Sequence, residues 1–274
     1  MVLTSGCGWL FAVAVALSVD AAQPAAIPVA KPAAIPVETL GYAVMVPDLR
    51  GHGRSVGRRK PDGDYLTVKY DDPKYFGPVE MKSMFNDVEA VKKWLVARNN
   101  EGELNIDMLC VIGAEFGAAL ALNWAALDWS WPATPSYKQG QDVKALVLLS
   151  PSMQNPKGYT CTPALGNQAI TQNLSVCIAV GEKSREAFSA AKRIYSRLEA
   201  GRPKLPQGES EQERADRERK QSLFWEPADT DLQGTRLLDR NLPINRAILE
   251  FLKHRLLWRQ EDYTWSERKS PIGN

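Results

Sequence analysis

Short apolar runs alternate with helical patterns along most of the chain, from residue 41 to residue 258. The apolar runs, each typical of a strand, span residues 42–46, 108–112, 145–149, 176–180 and, more weakly, 222–225. Helical patterns cover residues 79–98, 117–128, 185–199 and 242–258. Continuous apolar runs suit parallel strands that are covered on both faces. The alternation therefore predicts an α/β protein with a doubly wound, mostly parallel sheet.

The N-terminal segment carries a different pattern. Residues 9–19 form an apolar run of 11 residues, and small residues follow at Ala21 and Ala22. This is typical of a secretory signal peptide, although no Lys or Arg precedes Trp9. We predict a signal peptide over residues 1–22 and a secreted or periplasmic protein. A buried apolar segment or a misassigned start, in a cytoplasmic protein, is the alternative.

Three further segments complete the organisation of the chain. The sequence Ala-Ala-Ile-Pro-Val occurs twice after the predicted signal, and its prolines predict an extended linker over residues 23–40. Within a single domain at 41–258, 11 of the 20 residues at 201–220 are charged, which indicates a solvated helix or a mobile insertion. Residues 259–274 are predicted to form a polar C-terminal tail.

Composition and the absence of certain motifs exclude several classes of function. With 34 Lys and Arg against 32 Asp and Glu, the net charge is +2, which gives no electrostatic reason to expect a nucleic-acid partner. Two histidines exclude a metal site built on several imidazoles. The four cysteines contain no Cys-x-x-Cys pair, and no phosphate-binding glycine motif is present. No apolar run reaches the roughly 18 to 20 residues of a membrane span. We therefore expect no cofactor, no metal and no integral membrane span.

Two motifs resemble the α/β-hydrolase superfamily. Residues 41–55 end in Pro-Asp-Leu-Arg-Gly-His-Gly-Arg-Ser, similar to the family's fourth strand and the loop after it. Residues 109–117 read Leu-Cys-Val-Ile-Gly-Ala-Glu-Phe-Gly, similar to the nucleophile elbow Gly-x-Ser-x-Gly between strand and helix. Later strands follow the family order, so the resemblance covers residues 41–258. It is strongest to small, uncapped acyl-hydrolase and dienelactone-hydrolase-like members.

The resemblance implies a triad of Ser, acid and His, and all three positions are substituted. Glu115 stands at the nucleophile position, Ser184 at the acid position after the seventh strand, and Gln233 at the His position after the eighth. Some members place the acid after the sixth strand, where this chain reads Ser-Pro-Ser at 150–152. The backbone N–H of Phe116 would supply one donor of the oxyanion hole.

Glu115, Phe116, Gln233 and His52 are the candidate binding residues of the former active-site cleft. We expect Glu115 and Gln233 to lie close together, with the Gln233 amide donating a hydrogen bond to the carboxylate. His52 belongs to a Gly-His-Gly loop, where a structural role is the alternative. His254 is expected to face solvent on the last helix. Neither histidine is placed to act as a base for a carboxylate nucleophile.

The family's first three strands have no visible counterpart upstream of residue 41. In the family, the third strand lies between the fourth and the fifth. Its loss predicts either a gap in the centre of the sheet or direct pairing of the two flanking strands. In an oxidising compartment, Cys161 and Cys177 would be free to form a disulfide.

These observations leave three hypotheses for function. The first is a hydrolase-like protein that has lost catalysis and binds a small molecule or a protein at the former cleft. The second is an active esterase or acyl hydrolase that uses Glu115 at the elbow. The third is a truncated fragment without a function of its own, which the missing strands suggest.

Overall fold

The computed structural model of the protein describes residues 11–16, 42–59, 62–132, 134–135, 137–155, 157–208, 210–239 and 241–269. The strands are β1 (Phe11–Ala16), β2 (Tyr42–Met45), β3 (Gly57–Arg59), β4 (Tyr65–Thr67), β5 (Leu109–Ala114), β6 (Val143–Leu149), β7 (Ser175–Gly181) and β8 (Leu223–Ala228). The helices are α1 (Pro78–Asn100), α2 (Phe116–Ser130), α3 (Thr162–Leu165), α4 (Arg185–Ala200), α5 (Glu211–Lys220) and α6 (Ile244–Arg255).

Six of these strands form one sheet, in the order β2-β1-β5-β6-β7-β8, while β3 and β4 pair as a small hairpin. Strands β5, β6, β7 and β8 are each parallel to the next. The predicted α/β class and the mostly parallel sheet with flanking helices are confirmed. Every strand and helix predicted between residues 41 and 258 is present, with ends displaced by no more than three residues.

Strand β1 lies where the sequence predicted a gap or a direct pairing of β2 with β5. It is antiparallel to both neighbours, so that Ala14 lies opposite Val44 on one side and opposite Cys110 on the other. Both forms of the prediction are therefore wrong, because residues from the apolar N-terminal run pair with the two flanking strands. The rest of the predicted signal peptide and the predicted linker lie outside the described residues, so export stays a prediction.

The sheet buries an apolar layer on each face. One layer includes residues of α1, α2 and α4, and the other includes residues of α6. Cys161 belongs to the first layer and Cys177 to the second, and both are free thiols. The sheet therefore separates the two sulfur atoms, and the suggested disulfide between them is not formed.

The charged segment at 201–220 contains a solvated helix, which confirms one of its two predicted forms. Helix α5 begins with a capping box, in which Ser210 and Glu213 satisfy each other's backbone N–H groups. None of its ten residues is buried. Arg217 fixes the preceding loop by donating to the carbonyl oxygens of Pro206 (2.9 Å) and Gly208 (2.6 Å).

Candidate functional site

A sharp turn joins β5 to α2 and places Glu115 at its apex. Glu115 has φ 52° and ψ −112°, a conformation that residues with a side chain rarely adopt. A side chain at Gly113 would collide with the carbonyl group of Gly117. Because Gly113 and Gly117 have no side chains, α2 can begin close to the end of β5, as the two glycines of the motif predicted. Such a backbone conformation costs about 1 to 3 kcal/mol and recurs at ligand-binding and catalytic positions.

The Glu115 carboxylate is half-buried and makes no hydrogen bond or ion pair with the described residues. Its backbone N–H donates to the carbonyl oxygen of Leu149 (2.8 Å), which ties the turn to β6. The side chain lies against the backbone of Gly234, where an added Cβ would be 3.0 Å from Oε1. Burial raises the pKa of Glu115, and the positive charge of Arg236 opposes that shift. The apex therefore presents an acceptor group that has no hydrogen-bond partner among the described residues.

Gln233 and Ser150 close a hydrogen-bond network beside this carboxylate. The Ser150 hydroxyl donates to Oε1 of Gln233 (2.6 Å) and accepts from the N–H of Gly234 (2.9 Å). The Gln233 amide nitrogen donates to the carbonyl oxygen of Gly181 (3.0 Å). The network is uncharged and joins the end of β7 to the loops that follow β6 and β8.

The predicted hydrogen bond from Gln233 to Glu115 is not formed. The amide nitrogen donates instead to the carbonyl oxygens of Gly181 (3.0 Å) and Asp231 (3.4 Å). The reason is Ser150, whose hydroxyl captures the amide oxygen and fixes the orientation of the amide group. Ser150 follows the sixth strand, where the resemblance places the acid in some members of the family. The sequence alone does not show that its partner is Gln233.

His52 lies in the loop after β2 and is held there by two contacts. Its Nδ1 is 3.1 Å from the carbonyl oxygen of Arg50, and its ring packs on Tyr70 with centroids 4.9 Å apart. The Tyr70 ring in turn lies 6.4 Å from that of Phe116, which is buried at the start of α2. His52 is therefore linked to the elbow through aromatic packing, without a hydrogen bond to Glu115.

The remaining candidates lie apart from this network. Ser184 precedes α4 as its N-cap residue, but its side chain forms no capping hydrogen bond. His254 lies on α6 near Glu218 (Nδ1 to Oε1 3.4 Å), with its ring against Trp258. Of the three positions that the resemblance assigns to a triad, the fold brings Glu115 and Gln233 to one edge of the sheet, and Ser150 lies beside Gln233.

Comparison of the chain with protein-family models, with curated proteins and with solved structures found no match. Within the described ranges, no three His, Cys, Asp or Glu side chains are grouped so that they could hold a metal ion. The part of the chain that the structure describes contains no helix with both the length and the apolar character needed to cross a membrane.

Glu115→Gln is expected to stabilise the protein at pH 7 to 8 and to have little effect below pH 4.5. The folded-state pKa of Glu115 is raised above its ordinary value of 4.5, so the ionised carboxylate destabilises the folded protein. As the pH falls through the folded-state pKa, the folded protein takes up the proton first and this cost disappears. Urea unfolding from pH 4.5 to 8 measures the difference between variant and wild type.

The matched control is Glu261→Gln, which removes the same charge from an exposed position. A difference between Glu115→Gln and wild type that grows as the pH falls would contradict the expected sign.

Proposed function

We propose that the protein is an α/β-hydrolase-like protein that has lost catalysis and uses the cleft around Glu115 to bind a small molecule or a protein partner. The observation that carries this proposal is the closed network of Gln233 and Ser150. At the positions where a hydrolase has a base and the acid that orients it, these two side chains satisfy each other and the nearby backbone.

Triad chemistry requires a group that takes the proton of the nucleophile. A glutamine amide cannot take that proton at neutral pH, and the Ser150 hydroxyl is already a donor to it. A carboxylate nucleophile at Glu115 would still need a base to activate water in the second step. The two histidines are hydrogen-bonded or paired elsewhere, His52 at the Arg50 carbonyl and His254 near Glu218. Within the part of the chain that the structure describes, neither route has a base hydrogen-bonded to Glu115.

A binding role is supported by the state of the Glu115 carboxylate. This half-buried acceptor has no hydrogen-bond partner among the described residues. It would gain most from a ligand that donates a hydrogen bond, because burial has already removed part of its water. The strained backbone of the turn is retained although the nucleophile is replaced. We infer that the ligand presents an N–H or O–H group to this carboxylate.

Restoring the three triad side chains should create esterase activity. The triple variant Glu115→Ser, Ser150→Asp, Gln233→His has a hydroxyl at position 115 and an imidazole at position 233. At position 150 it has a carboxylate in place of the hydroxyl that contacts residue 233. General-base assistance is worth about a hundredfold or more. We expect the triple variant to hydrolyse p-nitrophenyl acetate at least about a hundredfold faster than Glu115→Ser alone.

Glu115→Ser is the control because it supplies the nucleophile and leaves the network intact. A triple variant that unfolds with the same cooperativity as wild type, yet is no faster than this control, would show that the three positions do not form a hydrolase site.

The predicted export is a separate proposal, since it depends on the apolar run at 9–19 alone. It competes with the place of residues 11–16 as β1, because cleavage near residue 23 would remove that strand. N-terminal sequencing of the protein isolated from its native cells tests it: a chain that begins near residue 23 supports export, and an unprocessed chain found only in the cytoplasm contradicts it.

A further inference from the structure

A groove of about 640 Å³ lies between the loop after β2 and one face of α1. The loop wall, which continues into β3, includes Asp48, Arg50 and Arg58, and the helix wall includes Glu80 and Asp87. The residues of the elbow and of the Gln233 network do not line it. Its volume is within the range of small-molecule sites, about 300 to 1,000 Å³.

Two ion pairs cross the groove. Arg50 holds Asp87 through Nε (2.9 Å) and Nη2 (2.7 Å), and its Nη1 makes no hydrogen bond with the described residues. Arg58 is joined to Glu80 by one longer contact, from Nη1 to Oε1 (3.3 Å), and its side chain is 65% exposed. Glu80 and Asp87 are seven residues apart on α1, so they lie on one face about two turns from each other. Two guanidinium groups thus line the loop wall, which also carries the Asp48 carboxylate, and two carboxylates line the helix wall.

Apolar side chains provide the rest of the groove. Phe76 and Val68 are buried in its floor, where they belong to the core. Val56 is half-buried on the loop wall, and Val79 on the helix wall is 71% exposed. An exposed valine beside a buried phenylalanine offers a surface for an aliphatic group.

The geometry points to a zwitterionic ligand with an apolar body, such as an amino acid or a short peptide, bound in this groove. Its carboxylate would pair with Arg58 and Nη1 of Arg50, and its ammonium group with Glu80 and Asp48. A simple anion such as phosphate would face three carboxylates, and a simple cation would face two guanidinium groups. A molecule that carries both charges can match both walls.

Calorimetry with leucyl-leucine and two blocked forms tests this inference. N-acetyl-leucyl-leucine lacks the ammonium group, and leucyl-leucine amide lacks the carboxylate. We expect the free dipeptide to bind at least about tenfold more tightly than either blocked form, because each charge-assisted contact is lost in one of them. Failure of the free dipeptide to bind, or equal affinity for all three, would overturn the inference.

The matched protein variants are Arg58→Gln and Lys69→Gln. Lys69 follows Val68 of the groove floor, is exposed and does not line the groove. We expect Arg58→Gln to weaken dipeptide binding about tenfold and Lys69→Gln to leave it unchanged. Equal effects of the two variants would show that binding reflects the positive charge of this surface and not the groove. Glu115→Ala should leave dipeptide binding unaltered, which separates this site from the proposed cleft.

Discussion

Ala14→Pro is expected to destabilise the protein by at least about 1 to 3 kcal/mol, the cost of a backbone acceptor left unpaired, because it interrupts a strand that is paired on both sides. Ala14 lies opposite Val44 of β2 and opposite Cys110 of β5. Proline removes a backbone donor from this ladder and leaves the acceptor on the neighbouring strand unpaired. Typical domains are stable by about 5 to 15 kcal/mol, so the loss is a large share of the total. Urea unfolding followed by circular dichroism measures it.

The control places proline where a helix tolerates it. Glu211 is the first residue of α5, after the N-cap residue Ser210, and proline is favoured at that position. Glu211→Pro should therefore leave stability within about 0.5 kcal/mol of wild type. If Ala14→Pro is equally harmless, residues 11–16 do not contribute a strand to the folded sheet.

The same strand bears on the hypothesis of a truncated fragment. A chain of residues 23–274 lacks β1, and its loss leaves β2 without its partner in the sheet and β5 with an open edge. A cooperative unfolding transition in that shorter chain would show that the remaining sheet folds without β1.

Arg268→Met is expected to destabilise the protein by about 3 to 5 kcal/mol, because it leaves buried carboxylates without one of their partners. The Arg268 side chain is fully buried, and its Nε donates to Oδ1 of Asp142 (2.9 Å). Its Nη2 lies 3.5 Å from Oδ2 of Asp107. Asp142 also forms an ion pair with Lys92 (Oδ2 to Nζ 3.1 Å), and Lys92 in turn pairs with Asp128. The unfolding free energy measures the loss.

Lys269→Met is the matched control at the next position. Lys269 is exposed, and its backbone N–H donates to the carbonyl oxygen of Lys138, which the substitution leaves intact. We expect an effect within about 0.5 kcal/mol. Equal stability of both variants would mean that Arg268 is replaceable by an apolar side chain of similar length, as happens in some buried ion-pair networks.

The alternation of apolar runs and helical patterns was sufficient to predict the strands and helices of the parallel part of the sheet. It could not assign the run at 9–19, since 11 apolar residues suit both a signal peptide and a buried strand. That choice depends on β2 and β5, whose open edges become apparent only in the folded sheet. Arg268 illustrates the same limit, because its partner Asp142 is 126 residues away in sequence.

The candidate site was predicted in part. The motif around Glu115 predicted the sharp turn, since Gly113 and Gly117 have a local steric role. The hydrogen bonds of Gln233 depend on Ser150, which is 83 residues away, and on the orientation of one amide group. The charges of Arg58 and Glu80 were known from the sequence. Their ion pair across the groove could not be predicted, because it depends on how the segment after β2 packs on α1.

Hydrolysis of p-nitrophenyl acetate by the purified wild-type protein, beside Glu115→Ala, tests the loss of catalysis most directly. The closed network of Gln233 and Ser150 predicts that both proteins match the buffer background. Turnover by wild type that disappears in Glu115→Ala would make the elbow carboxylate a catalytic residue and would contradict the proposed function.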